Sequence, residues 1–168
     1  MVAKEKLAAK EKIVQLGKKL VSDIEKGANP SIEVPVRSLS NISFDTKAKT
    51  LVLGSKKAQR FFFNVGHVRK FTQTIEIAKI AKTLLEATKH ASLRDVFYMA
   101  KRTIPQSNIN IVDEQAESDN AIEDLELITG CSREQLNINA NKMGSVAGDV
   151  VIEDSGDTIN WSKLGSGG

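Results

Sequence analysis

The sequence has 168 residues, 40% hydrophobic and 5% aromatic, so Leu, Ile, Val and Ala must fill most of any core. A single cysteine, Cys131, excludes an internal disulfide and suits a reducing compartment. No apolar run approaches the ~18 residues that cross a bilayer, and the N-terminus lacks the apolar region of a secretory signal. The formal charge of +3 conceals a division. Residues 1–112 carry 21 Lys and Arg against 9 Asp and Glu, while residues 113–168 carry 3 against 12. A basic block of that size marks either a polyanion-binding surface or a merely solubilising one.

In chain order, residues 4–26 predict an amphipathic helix with Leu7, Ile13, Leu16, Leu20 and Ile24 as its apolar stripe, ended by Gly27 to Pro30. Such a helix covers its own core, binds a partner or lies on a membrane, in falling order of frequency. Ile32 to Val36 alternates like a strand, and Pro35 confines it to an edge. Ser43 to Gly54 predicts two strands around a polar turn. From Val65 to His90 the pattern is helical, with Val68, Phe71, Ile75, Ala78, Ala81 and Leu85 facing inward.

After a tight break, S-L-R-D-V-F-Y-M-A-K-R (Ser92 to Arg102) predicts a second helix. Ser92 is placed to cap it, with Asp95 three residues on as in a capping box. Leu93, Val96, Phe97 and Ala100 fall on one stripe. Tyr98, the only tyrosine, projects away from them, and its neighbours at helical spacing are Arg94, Lys101 and Arg102. The acidic stretch Asp113 to Gly130 predicts a third helix, capped by Ser118 or Asp119, with Ile122, Leu125 and Ile128 inward. A short helix over Ser132 to Leu136 follows. Val146 to Trp161 then predicts a hairpin turning at Asp154 to Asp157. Three helices and a hairpin are the element order of a winged helix–turn–helix, so the expected fold class is α+β with an N-terminal amphipathic helix and a β-hairpin wing.

Chemically, Tyr98 is the unusual residue. A phenol is a poor nucleophile near neutral pH unless cations stabilise its ionised form. Arg94, Lys101 and Arg102 supply that field, and the same groups would hold phosphate oxygens. From spacing alone, an exposed tyrosine beside basic residues is more often an ordinary solvated surface. His67 and His90 lie far apart with no metal-ligand spacing, and Cys131 has no base nearby in sequence. Asp113, Glu114, Glu117 and Asp119 fit a helix start better than a cation site. No Walker-type phosphate loop is present.

S-L-R-D-V-F-Y also resembles the active-site motif of the DNA topoisomerase VI A subunits and their meiotic double-strand-break relatives. V-P-V-R-S-L-S-N-I-S-F-D (Val34 to Asp45), D-E-Q-A-E-S-D (Asp113 to Asp119), G-S-V-A-G-D-V-V-I and S-G-D-T-I-N-W-S-K-L-G-S-G-G resemble further motifs of that family, in the same order. The archaeal members are the most similar.

The resemblance implies a winged-helix domain like that of catabolite activator protein, spanning 31–164. A partner-binding helical arm over 1–30 would precede it, and a flexible tail over 165–168 would lead toward a Toprim domain. It implies that Tyr98 attacks a DNA phosphodiester, assisted by Arg94, to form a transient 5′-phosphotyrosyl break for strand passage, with Lys101 and Arg102 on the DNA. Mg²⁺ would sit on the Toprim region, so residues 1–168 alone would bind DNA and cleave it poorly. ATP would be bound by a partner B subunit that meets the N-terminal helix. Two A subunits would act as a homodimer within an A2B2 heterotetramer, without a membrane, in the archaeal cytoplasm on the nucleoid. The alternative is a non-catalytic winged-helix DNA-binding module.

Overall fold

The computed structural model describes residues 2–47, 49–139, 148–149, 151–154 and 157–160. It is a mixed α+β arrangement in which four helices carry the core and small two-stranded sheets flank it.

Helix α1 (Val2–Glu25) seats Ala9 and Ile13 in the main core and Leu20 in a second, smaller cluster, with Leu16 packed against both. Two members of the expected stripe do not join them: Leu7 is 57% exposed and Ile24 61%. Leu7 lies about 120° around the helix from Ile13, so it cannot share that face. Ile24 does share it but sits in the last turn, beyond both clusters.

Strand β1 (Ser31–Pro35) pairs antiparallel with β4 (Lys57–Phe61), Ile32 opposite Arg60 and Pro35 opposite Lys57. Its inward residues Ile32 and Val34 complete the small cluster with Leu20 and Phe71. Between these strands the chain makes the expected hairpin, β2 (Ile42–Asp45) and β3 (Thr50–Leu53). The sequence pattern does not announce β4, because K-A-Q-R-F has no apolar alternation to mark it.

Helix α2 (Val68–Glu86) runs through the centre and packs against α1, against α3 (Leu93–Ala100) and against α4 (Gln115–Thr129). Being covered from several sides, it buries Ile77, Ile80 and Leu84 as well as the expected Phe71, Ala78 and Ala81, while Val68, Ile75 and Leu85 are only half-buried. Helix α4 starts earlier than expected, with Glu114 at its N-cap. Ser118 is buried in the first turns, its hydroxyl donating to the Gln115 carbonyl, so it is not the cap. Ile122 and Leu125 are fully buried, Ile128 half-buried, and Gly130 in the left-handed region (φ 60°) ends the helix.

Residues 133–137 form turns rather than the expected short helix, and lead into β6 (Ile138–Asn139), which pairs in parallel with β5 (Ala91–Ser92). Strands β7 (Val151–Asp154) and β8 (Asp157–Asn160) form the expected C-terminal hairpin, closing at the pair Asp154–Asp157. Its turn residues 155–156, the expected strand residues 146–147 and 150, Trp161 and the tail 165–168 lie outside the described residues. Among the described residues no helix is long and apolar enough to cross a membrane.

Candidate active site

Helix α3 has eight residues, too short to be stable alone, so its ends and its buried face must fix it. At its N-terminus the capping box forms as the sequence suggests. The Asp95 amide donates to Ser92 Oγ (3.1 Å), and the Asp95 carboxylate accepts from the Ser92 amide (2.9 Å) and hydroxyl (2.7 Å). The Ser92 hydroxyl, then its amide, hold the Asp95 carboxyl below the usual aspartate range. Val96 and Ala100 are fully buried, Phe97 nearly so, and Leu93 packs on the same core.

Tyr98 then has nowhere to go but outward. It is 58% exposed. Its ring leans on Phe97, centroids 5.2 Å apart at 50°, and the Arg94 guanidinium carbon lies 6.0 Å from the Tyr98 ring centroid. Among the described residues no carboxylate pairs with Arg94, so its fork of donors is open.

The other two expected cations lie elsewhere. The helix ends at Ala100, so Lys101 and Arg102 are not at helical spacing from Tyr98. Lys101 reaches over the Phe97 ring, 5.4 Å from Nζ to its centroid. Arg102 bonds to Glu76 of α2, a half-buried carboxylate that also faces Lys79 at 3.5 Å. The structure thus brings Arg94 and Tyr98 together and leaves Lys101 beside them, while Arg102 ties the segment after α3 to α2.

The acidic stretch acquires a structural job. Arg69 at the start of α2 donates Nε to Glu117 Oε1 (2.9 Å) and a terminal nitrogen to Glu117 Oε2 (3.0 Å) and Asp113 Oδ2 (2.7 Å). The side chain of Asn110, then Arg69, depress the Asp113 carboxyl, with Lys101 among the charges helping. Burial works to raise Glu117, but the Asp113 amide, Arg69 and Gln73 outweigh it and lower it. Further along α4, Asp124 is buried and accepts from Arg60 at 2.6 Å and Arg37 at 3.4 Å, while Arg37 also pairs with Glu123. Helix α4 therefore turns Glu117, Glu123 and Asp124 toward arginines of the N-terminal half, while its Glu126 pairs with Arg133 at 2.9 Å. The remaining candidates belong to the scaffold: His67 Nδ1 accepts from the Phe61 amide, His90 meets Lys6 at 2.9 Å, and buried Cys131 lies 3.6 Å from Lys12 Nζ.

Residues 69–138, which span Arg69, α3 and most of the acidic helix system, match the family model described as type IIB DNA topoisomerase. The A subunit of type 2 DNA topoisomerase 6 from Pyrococcus abyssi is 44% identical over 158 residues, covering 94% of this chain and 41% of that protein. That of Aeropyrum pernix is 39% identical, covering 98% and 44%, and the A subunit of DNA topoisomerase 6 from Arabidopsis thaliana is 31% identical, covering 93% and 34%. The chain therefore spans well under half the length of these relatives. By the family model over its centre and these relatives over nearly all of it, the chain belongs to the type IIB DNA topoisomerase family, among the A subunits.

Proposed function

We propose that this chain carries the tyrosine-bearing DNA-cleavage surface of a type IIB topoisomerase A subunit. The observation that carries the reading is the exposed Tyr98 ring with the Arg94 guanidinium, unpaired among the described residues, lying over it on a capped, core-anchored helix. A guanidinium with no carboxylate to satisfy it is free to grip two oxygens of a phosphate.

The proposed step is a transesterification. The Tyr98 phenolic oxygen attacks a backbone phosphorus, a Tyr O–P bond forms, and the bond from phosphorus to the 3′ oxygen breaks. The phenol proton is lost, the departing 3′ oxygen gains one, and the product is a 5′-phosphotyrosyl end beside a free 3′-hydroxyl. One phosphodiester replaces another, so the step is close to energy-neutral and reversible. Arg94 orients the phosphate and stabilises the charge that builds on its oxygens. Lys101 adds a diffuse positive contact to the strand, and Arg102 joins it only by leaving Glu76.

The order α2, α3, α4, then β7–β8, with the three helices packed on one another, supports a winged-helix arrangement with that hairpin as the wing. The division into an arm (1–30), a winged-helix unit (31–164) and a tail (165–168) is part of the same reading. Leu7 and Val21 lie two heptads apart on α1 and are 57% and 55% exposed, which suits an apolar seam for a partner B subunit. In this reading the partner binds ATP, two A subunits act on opposite strands in an A2B2 assembly, and a second duplex passes through the break on the nucleoid, in the cytoplasm.

Mg²⁺ enters the reading through a Toprim region. Among the described residues no group of three or more His, Cys, Asp or Glu is placed to hold a metal ion, and Asp113 and Glu117 are already engaged by Arg69. The residues present do not fit the ion, and no step here runs through it. The test is covalent adduct formation by the full-length protein with its partner, ATP, Mg²⁺ and duplex DNA: wild type traps DNA and Tyr98→Phe does not. Equal trapping by both would leave the chain a DNA-binding module.

A further inference from the structure

The β2–β3 hairpin contributes to neither core cluster; one face carries Ser43, Asp45, Thr50 and a single apolar residue, Val52, 37% exposed, and the other is wholly apolar. Its register sets Ile42 opposite Leu53 and Phe44 opposite Leu51. Directly opposed residues of an antiparallel pair share a face, as do residues two apart along a strand. These four side chains therefore make one continuous apolar face, and they are 38%, 37%, 60% and 72% exposed in that order. Leu39, just ahead of the hairpin, is 91% exposed. A bare two-stranded hairpin with such a face is marginal in water.

Its base is nevertheless built to hold it. Asn41 is buried, and its side-chain amide donates to the carbonyls of Val36 (2.8 Å) and Lys56 (3.1 Å). Asn41 Oδ1 accepts from the Lys56 amide (3.1 Å), and its carbonyl accepts from the Gly54 amide (2.6 Å). A Cβ at Gly54 would stand 2.5 Å from Asn41 Oδ1 and 3.1 Å from its carbonyl oxygen, so only glycine closes the clamp. A buried asparagine and an obligatory glycine thus fix an apolar face that the described residues leave uncovered. The V-P-V-R-S-L-S-N-I-S-F-D motif contains this Asn41 and half of the face.

The charges nearby indicate what covers it. Residues 37–60 hold six Lys and Arg against one acid, Asp45. Lys47 and Lys49 at the turn and Lys56 at the base make no ion pair among the described residues. All three lie outside the paired strands, so the paired part of the face holds only the four apolar side chains. DNA would require cations on the contacting face, and a second copy of this chain would bring lysine against lysine. An apolar centre with a basic edge instead complements a protein surface of opposite edge charge.

We propose that the β2–β3 hairpin is a docking face for a different protein, which offers an apolar patch edged by Asp and Glu. The inference rests on the topoisomerase reading only for the assembly in which to test it. In the full-length protein, in complex with its partner and DNA, a photo-crosslinking phenylalanine analogue replaces Leu51, or Thr50 on the opposite face. The expected result is a Leu51-position crosslink to a protein other than this chain, at an apolar segment flanked by acidic residues, several-fold stronger than from Thr50. Crosslinks to DNA, to a second copy or within the chain, equal yields from both positions, or no crosslink overturn the proposal. Phe44→Ser combined with Leu51→Ser should lower affinity for that protein at least about tenfold with the melting midpoint unchanged, and unchanged affinity likewise overturns it. Adduct formation through Tyr98 is assayed on the same preparation, which separates failure of the docking face from failure of the catalytic reading.

Discussion

Arg94 lies one helical turn before Tyr98 on the outer side of α3, its guanidinium carbon 6.0 Å from the phenol ring centroid. At an exposed site such a contact is worth about 0.5–1 kcal/mol, too little to explain, on structural grounds, an arginine with no ionic partner among the described residues. Arg94→Ala should therefore cost under about 1 kcal/mol of stability yet slow cleavage about 10²–10³-fold. Arg94→Lys keeps the charge but not the planar fork and should fall between the two. Single-turnover adduct formation measured beside duplex binding checks this.

Lys101 and Arg102 are adjacent in sequence but differ in what holds them. Lys101 rests over Phe97 and makes no salt bridge among the described residues, whereas Arg102 is bonded to Glu76. Lys101→Ala should reduce the slope of log affinity against log salt by about one, with Arg102→Ala leaving it nearly unchanged. Binding titrations at several salt concentrations distinguish them. Equal losses of slope would mean that Arg102 leaves Glu76 for the phosphate backbone.

Asp124 anchors the N-terminal half to α4. It is buried and faces Arg60 at 2.6 Å, with Arg37 behind it. Asp124→Ala strands the partly buried Arg60 charge and should destabilise the protein by about 3 kcal/mol. Removing Arg37, which is more exposed and divides between a longer bond to Asp124 and a surface pair with Glu123, should cost under about 1 kcal/mol. Urea unfolding midpoints test the ordering.

Three carboxyls near the site, Asp95, Asp113 and Glu117, have folded-state pKa values lowered by their hydrogen bonds. A group depressed on folding contributes stability that is full above its unfolded value, about 4 for these acids, and is lost as pH falls through the folded value. Stability should hold level from neutral pH to about 5 and drop below about 4. Asp95→Asn should flatten part of that drop in circular dichroism melts recorded between pH 3 and 7.

Much of the site is legible in the sequence because it is local. Ser92 and Asp95 sit at capping-box spacing, and the stripe through Leu93, Val96, Phe97 and Ala100 sends Tyr98 outward whatever else the chain does. The fate of Arg102 is not local: it depends on where α3 stops and on Glu76, which is 26 residues away. For the same reason the pairing of Arg37, Arg60 and Arg69 with α4 is invisible in a linear charge count, which registers only a basic half and an acidic half. Strand β4 is missed because its pairing with β1 supplies the order that its own composition lacks. The exposed Leu7 shows the limit of periodicity, since an apolar residue can belong to a helix's second face.

The most direct measurement digests a trapped protein–DNA complex with nuclease and identifies the peptide residue that retains a nucleotide. If Tyr98 is the nucleophile, the remnant sits on Tyr98 through its phenolic oxygen, joined to a 5′ phosphate. A remnant on any other residue, or one that persists in Tyr98→Phe, would contradict it.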